Sequence, residues 1–185
     1  MPSQVIGLAG RIGSGKSSVA EGLAAALSCT TASFGSYVRS VARERQLDES
    51  RECLQAVGEE LLDVLGPRGL VDGVLDRARW TPEKTIVVEG IRHESVVRAL
   101  RERVAPIVPV LIYLDVPEQA RSRRVAARDG ISADELQGHD EHSTEREVPI
   151  GVRDLADLVI PVADDPAETV AILLDYLRDP PRGRG

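Results

Sequence analysis

Residues 5–17, VIGLAGRIGSGKS, leave this chain few ways to fold. An apolar run of strand type, Val5–Ala9, stops at Gly10. The next residues spell G-x-x-x-x-G-K-S, and an apolar helical pattern follows from Val19. Strand, glycine-rich loop and helix in that order form the context in which such a loop cradles phosphate. Gly10, Gly13 and Gly15 let the backbone curl with its N–H groups pointing inward. Arg11, Ile12, Ser14, Lys16, Ser17 and Ser18 complete the candidate nucleotide-binding set. The helix beginning near Lys16 adds the positive end of its dipole and its unpaired N–H groups. Lys16 can bridge the β- and γ-phosphates, and Ser17 can place its hydroxyl on Mg²⁺. The stretch therefore implies a nucleoside triphosphate site, with ATP and Mg²⁺ as the expected cofactors.

A length of 185 residues suits one domain with room for a small insertion. The net charge of −7 lends no support to nucleic-acid binding, which calls for a basic face. Lys16 and Lys84 are the only lysines, so arginine is the background cation and no single arginine is informative by identity. Cys29 and Cys53 make neither a metal spacing nor a disulfide framework and read as small apolar residues. No apolar run approaches the ~18 residues of a membrane span. The N-terminus runs straight into the first strand, without the pattern of a signal peptide. The expectation is a cytoplasmic protein, monomer or homodimer, with no membrane or nucleic-acid partner.

Beyond the loop, helical spacing predicts a helix over Lys16–Leu27, and a β-prone stretch over Thr30–Phe34 precedes a helical segment from Ser36. Leu54, Val57, Leu61 and Leu65 mark a helix over Arg51–Leu65 that Gly66-Pro67 stops, and a further helix covers Leu70–Arg79. Residues 36–80 thus read as a helical insertion over the nucleotide edge of a sheet. Thr85–Glu89 and Val108–Asp115 carry unbroken apolar runs of the kind a parallel strand buries on both faces. Pro117 opens a helix to about Arg128, Leu158–Val162 is a last short strand, and Asp165-Pro166 starts the final helix. Ser132-x-x-Glu135 and Thr144-x-x-Glu147 resemble capping boxes around a polar stretch. His139, Asp140 and His142 within it, lacking a thiolate, do not read as a zinc site. Residues 180–185 read as a disordered tail. Strands alternating with helices predict a three-layer α/β fold with a parallel five-stranded sheet flanked by helices.

Ligands in such folds sit beyond the carboxyl ends of the strands, so the residues there are the informative ones. Gly35 permits close approach of backbone to ligand, and Arg39 can hold an anionic acceptor. Glu89, a carboxylate ending a buried strand, needs a partner. That partner is Mg²⁺ through water or an acceptor hydroxyl. Arg92 can clamp a phosphate. Arg121, Arg124 and Arg128 share one helical face, where an anion such as a triphosphate would relieve their repulsion. Lys16, Glu89, Arg124 and Arg128 are the catalytic candidates, and Gly35, Arg39 and Arg92 the acceptor-binding ones.

These residues resemble the nucleoside monophosphate kinase superfamily of P-loop kinases, and within it dephospho-coenzyme A kinases and adenylate-kinase-like proteins. Phe34-Gly35-Ser36-Tyr37-Val38-Arg39 keeps the Gly and Arg of the family's T-G-D-x-x-R, with Phe34 and Ser36 as departures. Glu89-Gly90-Ile91-Arg92 is similar to a shortened D-G-x-P-R. Arg124-Val125-Ala126-Ala127-Arg128-Asp129-Gly130 matches the lid pattern R-x-x-x-R-D-G, and Ala156-Asp157-Leu158-Val159-Ile160 matches the start of A-D-x-x-I-x-N near the last strand, with Val162 in place of the Asn. The resemblance implies one kinase domain over residues 1–179, with an acceptor-binding insertion at about 36–80 and a short lid at about 124–147. It implies transfer of the γ-phosphoryl of ATP to a nucleoside monophosphate. Dephospho-coenzyme A as acceptor and a P-loop ATPase switch without an acceptor are the alternatives.

Overall fold

A computed structural model describes residues 3–129, 148–163 and 165–178. In chain order its elements are β1 (Val5–Ala9), α1 (Lys16–Leu27), β2 (Thr30–Ser33), α2 (Phe34–Glu44), α3 (Arg51–Arg77), β3 (Ile86–Ile91), α4 (Glu94–Val104), β4 (Val110–Asp115), α5 (Glu118–Asp129), α6 (Val148–Asp154), β5 (Leu158–Pro161) and α7 (Pro166–Arg178). The strands form one five-stranded sheet in the order β2-β3-β1-β4-β5. Every neighbouring pair is parallel.

The apolar runs explain the layering. Successive side chains of a strand point to opposite faces, so an unbroken run must be covered twice. Ile6, Leu8, Val87, Ile112 and Leu114 pack with α1 and α7 residues such as Val19, Leu23 and Leu173. Val5, Ala9, Ile86, Val88, Leu111 and Tyr113 pack on the other side with α3 and α4 residues such as Val71, Leu75, Val97 and Leu100. β1 is therefore central and buried on both faces, and its carboxyl end delivers the glycine loop to the middle of the sheet edge.

The structure moves several boundaries. The β-prone stretch ends at Ser33, because its hydroxyl caps a helix that already begins at Phe34. Gly66-Pro67 breaks the helical run as expected: Gly66 has φ 67 and ψ 173, and the two segments otherwise read as one helix to Arg77. β3 continues past Glu89 to Ile91 through a bulge, since Leu8 pairs with Glu89 but Ala9 pairs with Ile91. Gly90, the extra residue, has φ 86. Asp157 is a clip between strands: its carboxylate accepts from the Leu111 N–H at 2.7 Å, while its own N–H donates to Leu111 O at 2.8 Å. Cys29 and Cys53 are half-buried free thiols, and burial pushes the Cys29 thiol up. The two capping boxes, His139, Asp140, His142 and the C-terminal tail lie outside the described residues, as does most of the expected lid. Among the described residues no helix is long and apolar enough to cross a membrane.

Candidate active site

The glycine loop is closed by its own backbone, with Ser14 N donating to Arg11 O at 3.1 Å. The Lys16 ammonium folds back over it and donates to Gly10 O at 2.7 Å, Arg11 O at 2.8 Å and Ser14 Oγ at 3.2 Å. Those carbonyls hold the cation where an incoming phosphate would compete for it. α1 starts behind the loop with Gly15 as its N-cap, no side-chain cap bond and no acidic residue in its first turn. Nothing on the helix itself competes with an anion there. Ser17 and Ser18 are exposed in that first turn.

α5 roofs the loop. A Cβ on Gly13 would lie 2.7 Å from Val125 Cγ2 and 3.2 Å from Arg121 O, so helix and loop touch without space between them. This contact corrects the reading of Arg121 as part of a phosphate-facing stripe. Its side chain is fully buried and ion-paired with Glu118, one turn earlier on the same helix. Arg11 Nη1 meets the same carboxylate at 2.7 Å. Burial alone pushes the Glu118 carboxyl up, but hydrogen bonds and charge from Arg121 and Arg11 outweigh it and hold the group below the usual glutamate range. Glu118 thus pairs with both Arg121 and Arg11.

Arg124 lies beside the cradle. Its Nη1 lies 3.7 Å from where a Gly15 Cβ would stand. Its Nη2 donates to Ala163 O at 3.1 Å. Ala163 N in turn donates to the buried Thr169 hydroxyl at 3.1 Å. The loop after β5 thus anchors a guanidinium beside the Gly15–Lys16 end of the cradle. Thr169 was not legible as a site residue, because its partner is a backbone group six residues away across a loop. Arg128 lies in the last turn of α5, and its side chain is outside the described residues.

On the other flank, the ends of β2 and β3 bring the acceptor-side candidates together. A Cβ on Gly90 would sit 3.6 Å from Gly35 N and from Phe34 Cβ, so the bulge lies against the first turn of α2. Glu89 is half-buried and accepts from the Ser33 hydroxyl. Arg39 is exposed, with Nε 3.3 Å from Glu49, and Arg43 shares that carboxylate. An acceptor phosphate can therefore take Arg39 while Glu49 keeps Arg43. Arg92 is exposed one residue past the end of β3.

His93, the N-cap residue of α4, makes no side-chain cap bond. Burial first, and then the Arg92 charge, push its imidazole below the ordinary value of 6.5, with Glu59 opposing. Folding therefore favours the neutral ring. Below the unfolded pKa the denatured chain binds a proton more readily than the folded one, so His93 lowers stability as pH falls below about 6.5 and costs nothing above it. His93→Asn should flatten this part of the pH dependence and gain about 0.5–1 kcal/mol from the new cap. Urea unfolding between about pH 5 and 8 checks both.

Residues 6–146 match the family described as AAA domain. A cytidylate kinase of Ignicoccus hospitalis is 33% identical over 133 residues, covering 71% of this chain and 68% of that protein. A dephospho-CoA kinase of Thermus thermophilus is 31% identical over 158 residues, covering 71% of each. The chain belongs to the P-loop kinases. This P-loop kinase also shares its architecture with the solved shikimate kinase of Bacteroides thetaiotaomicron, at a TM-score of 0.59 and 16% identity over 95% of this chain and 98% of that one. At that identity the likeness speaks for the fold. The enzyme is a phosphotransferase that uses ATP.

Proposed function

We propose that this kinase moves the γ-phosphoryl of ATP to the phosphate of a nucleoside monophosphate or a deoxy or related nucleotide. The observation that carries the reading is Arg124. A simple nucleotide binder needs only the glycine loop and its lysine. Here a second cation is brought beside Gly15 from a helix more than a hundred residues later and pinned to Ala163. Charge concentrated at that end of the cradle suits a phosphoryl group carrying negative oxygens in transit.

In this mechanism an oxygen of the acceptor phosphate attacks the γ-phosphorus, the bond to the β–γ bridging oxygen breaks, and ADP leaves. Gly10, Arg11, Ile12, Gly13, Ser14, Gly15, Lys16, Ser17 and Ser18 bind the triphosphate. Lys16, Arg124 and Arg128 stabilise the moving group. Gly35, Arg39 and Arg92 place the acceptor. The Ser17 hydroxyl and, through water, the Glu89 carboxylate would hold Mg²⁺, being hard oxygen donors of the kind it takes, and the ion would supply further charge to the β- and γ-oxygens. The α2–α3 insertion closes over the acceptor and excludes water.

The relative named dephospho-CoA kinase favours a second reading, in which the acceptor is a ribose hydroxyl. The two differ in proton accounting. A phosphate oxygen is already ionised when it attacks, whereas a hydroxyl must lose a proton, and Glu89 would take it. An acceptor panel read by ADP release separates them: phosphorylation of nucleoside monophosphates supports the first reading, and phosphorylation of dephospho-coenzyme A alone replaces it. Arg39→Ala should raise the acceptor KM or lower turnover by about tenfold or more while leaving acceptor-free ATP hydrolysis intact. ATP hydrolysis with no acceptor used by the wild type would point to a switch ATPase.

A further inference from the structure

We infer that Ser33 is a positioning residue of the transfer site, holding the Glu89 carboxylate and the acceptor helix α2 in one fixed relation. The inference rests on the phosphotransfer reading above. Ser33 is the last residue of β2 and the register partner of Glu89 on β3. It is also the N-cap of α2, where its Oγ accepts from Ser36 N at 3.1 Å. The same Oγ donates its one proton to Glu89 Oε1. One atom thus joins two strand ends to the first turn of the helix that carries Gly35 and Arg39.

A cap alone would not need this arrangement. Capping requires only an acceptor oxygen, which Asp or Asn provides as well as Ser. What Ser adds is a donor aimed at a carboxylate. Serine has a single O–H, and here it is spent on Glu89. That bond occupies Oε1 and orients Oε2 toward whatever Glu89 serves in the reaction. The bulge at Gly90 immediately afterwards leaves Glu89 at the last regular pairing of β3 with β1, where a side chain is otherwise poorly constrained. Binding of an acceptor to Arg39 and Gly35 fixes α2, and through Ser33 it fixes Glu89.

A double-mutant cycle tests this, with turnover measured on the nucleotide acceptor that the panel identifies. Ser33→Ala should lower kcat about 10–100-fold, the loss expected for one hydrogen bond to a charged group. It should leave the ATP Kd within about twofold, because ATP lies on the other flank. Ser33→Thr should restore most of the turnover. Ser33→Asp keeps a capping oxygen but removes the donor and sets a like charge beside Glu89. The retained cap offsets part of the destabilisation from the like charge, and the variant should turn over no faster than Ser33→Ala. In the Glu89→Ala background, which removes the acceptor oxygen, Ser33→Ala should cost less than about threefold more, because the pair acts as a unit.

Equal losses from Ser33→Ala in the wild-type and Glu89→Ala backgrounds, or an active Ser33→Asp, would overturn the coupling and leave Ser33 a helix cap. A wild-type enzyme that phosphorylates nothing in the panel would instead remove the phosphotransfer reading, and the Ser33 inference with it.

Discussion

Lys16→Ala is expected to lower kcat by about 10²–10³-fold, the scale of removing one preorganised charge from the site of a moving group. The folded protein should survive the change. Lys16 is half-buried, and it donates to Gly10 O, Arg11 O and Ser14 Oγ of its own loop. Gly10 O and Arg11 O lose a donor at a site where water can replace it, so the melting temperature should move by only a few degrees. Lys16→Arg should not rescue turnover. A planar guanidinium cannot repeat the compact geometry of an ammonium held by two carbonyls and a hydroxyl. Steady-state ADP release with saturating acceptor, beside a thermal scan, measures both effects. Retention of more than about a tenth of the wild-type turnover by the alanine variant would limit the cradle cation to less than about 1.4 kcal/mol of transition-state stabilisation and overturn its assigned role. Lys16→Ala probes the site whichever acceptor is used, and Arg39→Ala probes the acceptor.

How much of this could be read from residues alone depended on the range of the interaction. The cradle, the strand–loop–helix order and the buried parallel strands are all local patterns, and Val5–Ala9 appears in the fold with the predicted bounds. The helix break at Gly66-Pro67 was legible for the same reason, as a φ that Gly adopts followed by a residue without an N–H. Arg121 turns away from the stripe that its spacing predicts, toward a partner that is equally local. Glu118 lies three residues before it, a spacing that places the pair side by side on a helix. Ser33 and the Gly90 bulge depended on strand register, which periodicity does not report. The anchoring of Arg124 to Ala163 depended on where β5 ends beside β4, a long-range fact absent from any window of sequence. Chemistry carried by one segment was visible; chemistry assembled from two was not.

The second large effect concerns the contact between loop and roof. Gly13→Ala is expected to cost about 2–4 kcal/mol of stability, from overpacking and left-handed strain together. Gly13 has φ 80, and a Cβ there would stand 2.7 Å from Val125 Cγ2, 3.1 Å from Arg121 Cγ and 3.2 Å from Arg121 O. None of these neighbours gives way cheaply. Val125 is buried, Arg121 is fully buried and tied to Glu118, and the third atom is helix backbone. The loop or α5 must shift, and α5 carries Arg124 beside Gly15. The variant should therefore lose ATP affinity as well as stability, by about tenfold or more if a charge-assisted contact is misplaced. Gly15→Ala supplies the internal control. Its φ is 79, nearly the same, but its Cβ would meet only Arg124 Nη1 at an ordinary 3.7 Å. It should thus lose only the strain, about 1–2 kcal/mol. Val125→Ala added to Gly13→Ala should recover part of the loss by removing the closest methyl, a coupling expected of residues in contact. Denaturant unfolding of the four proteins gives the comparison. If Gly13→Ala is no worse than Gly15→Ala, the glycine at position 13 serves only the turn of the loop, and the seating of α5 on the cradle has no energetic weight.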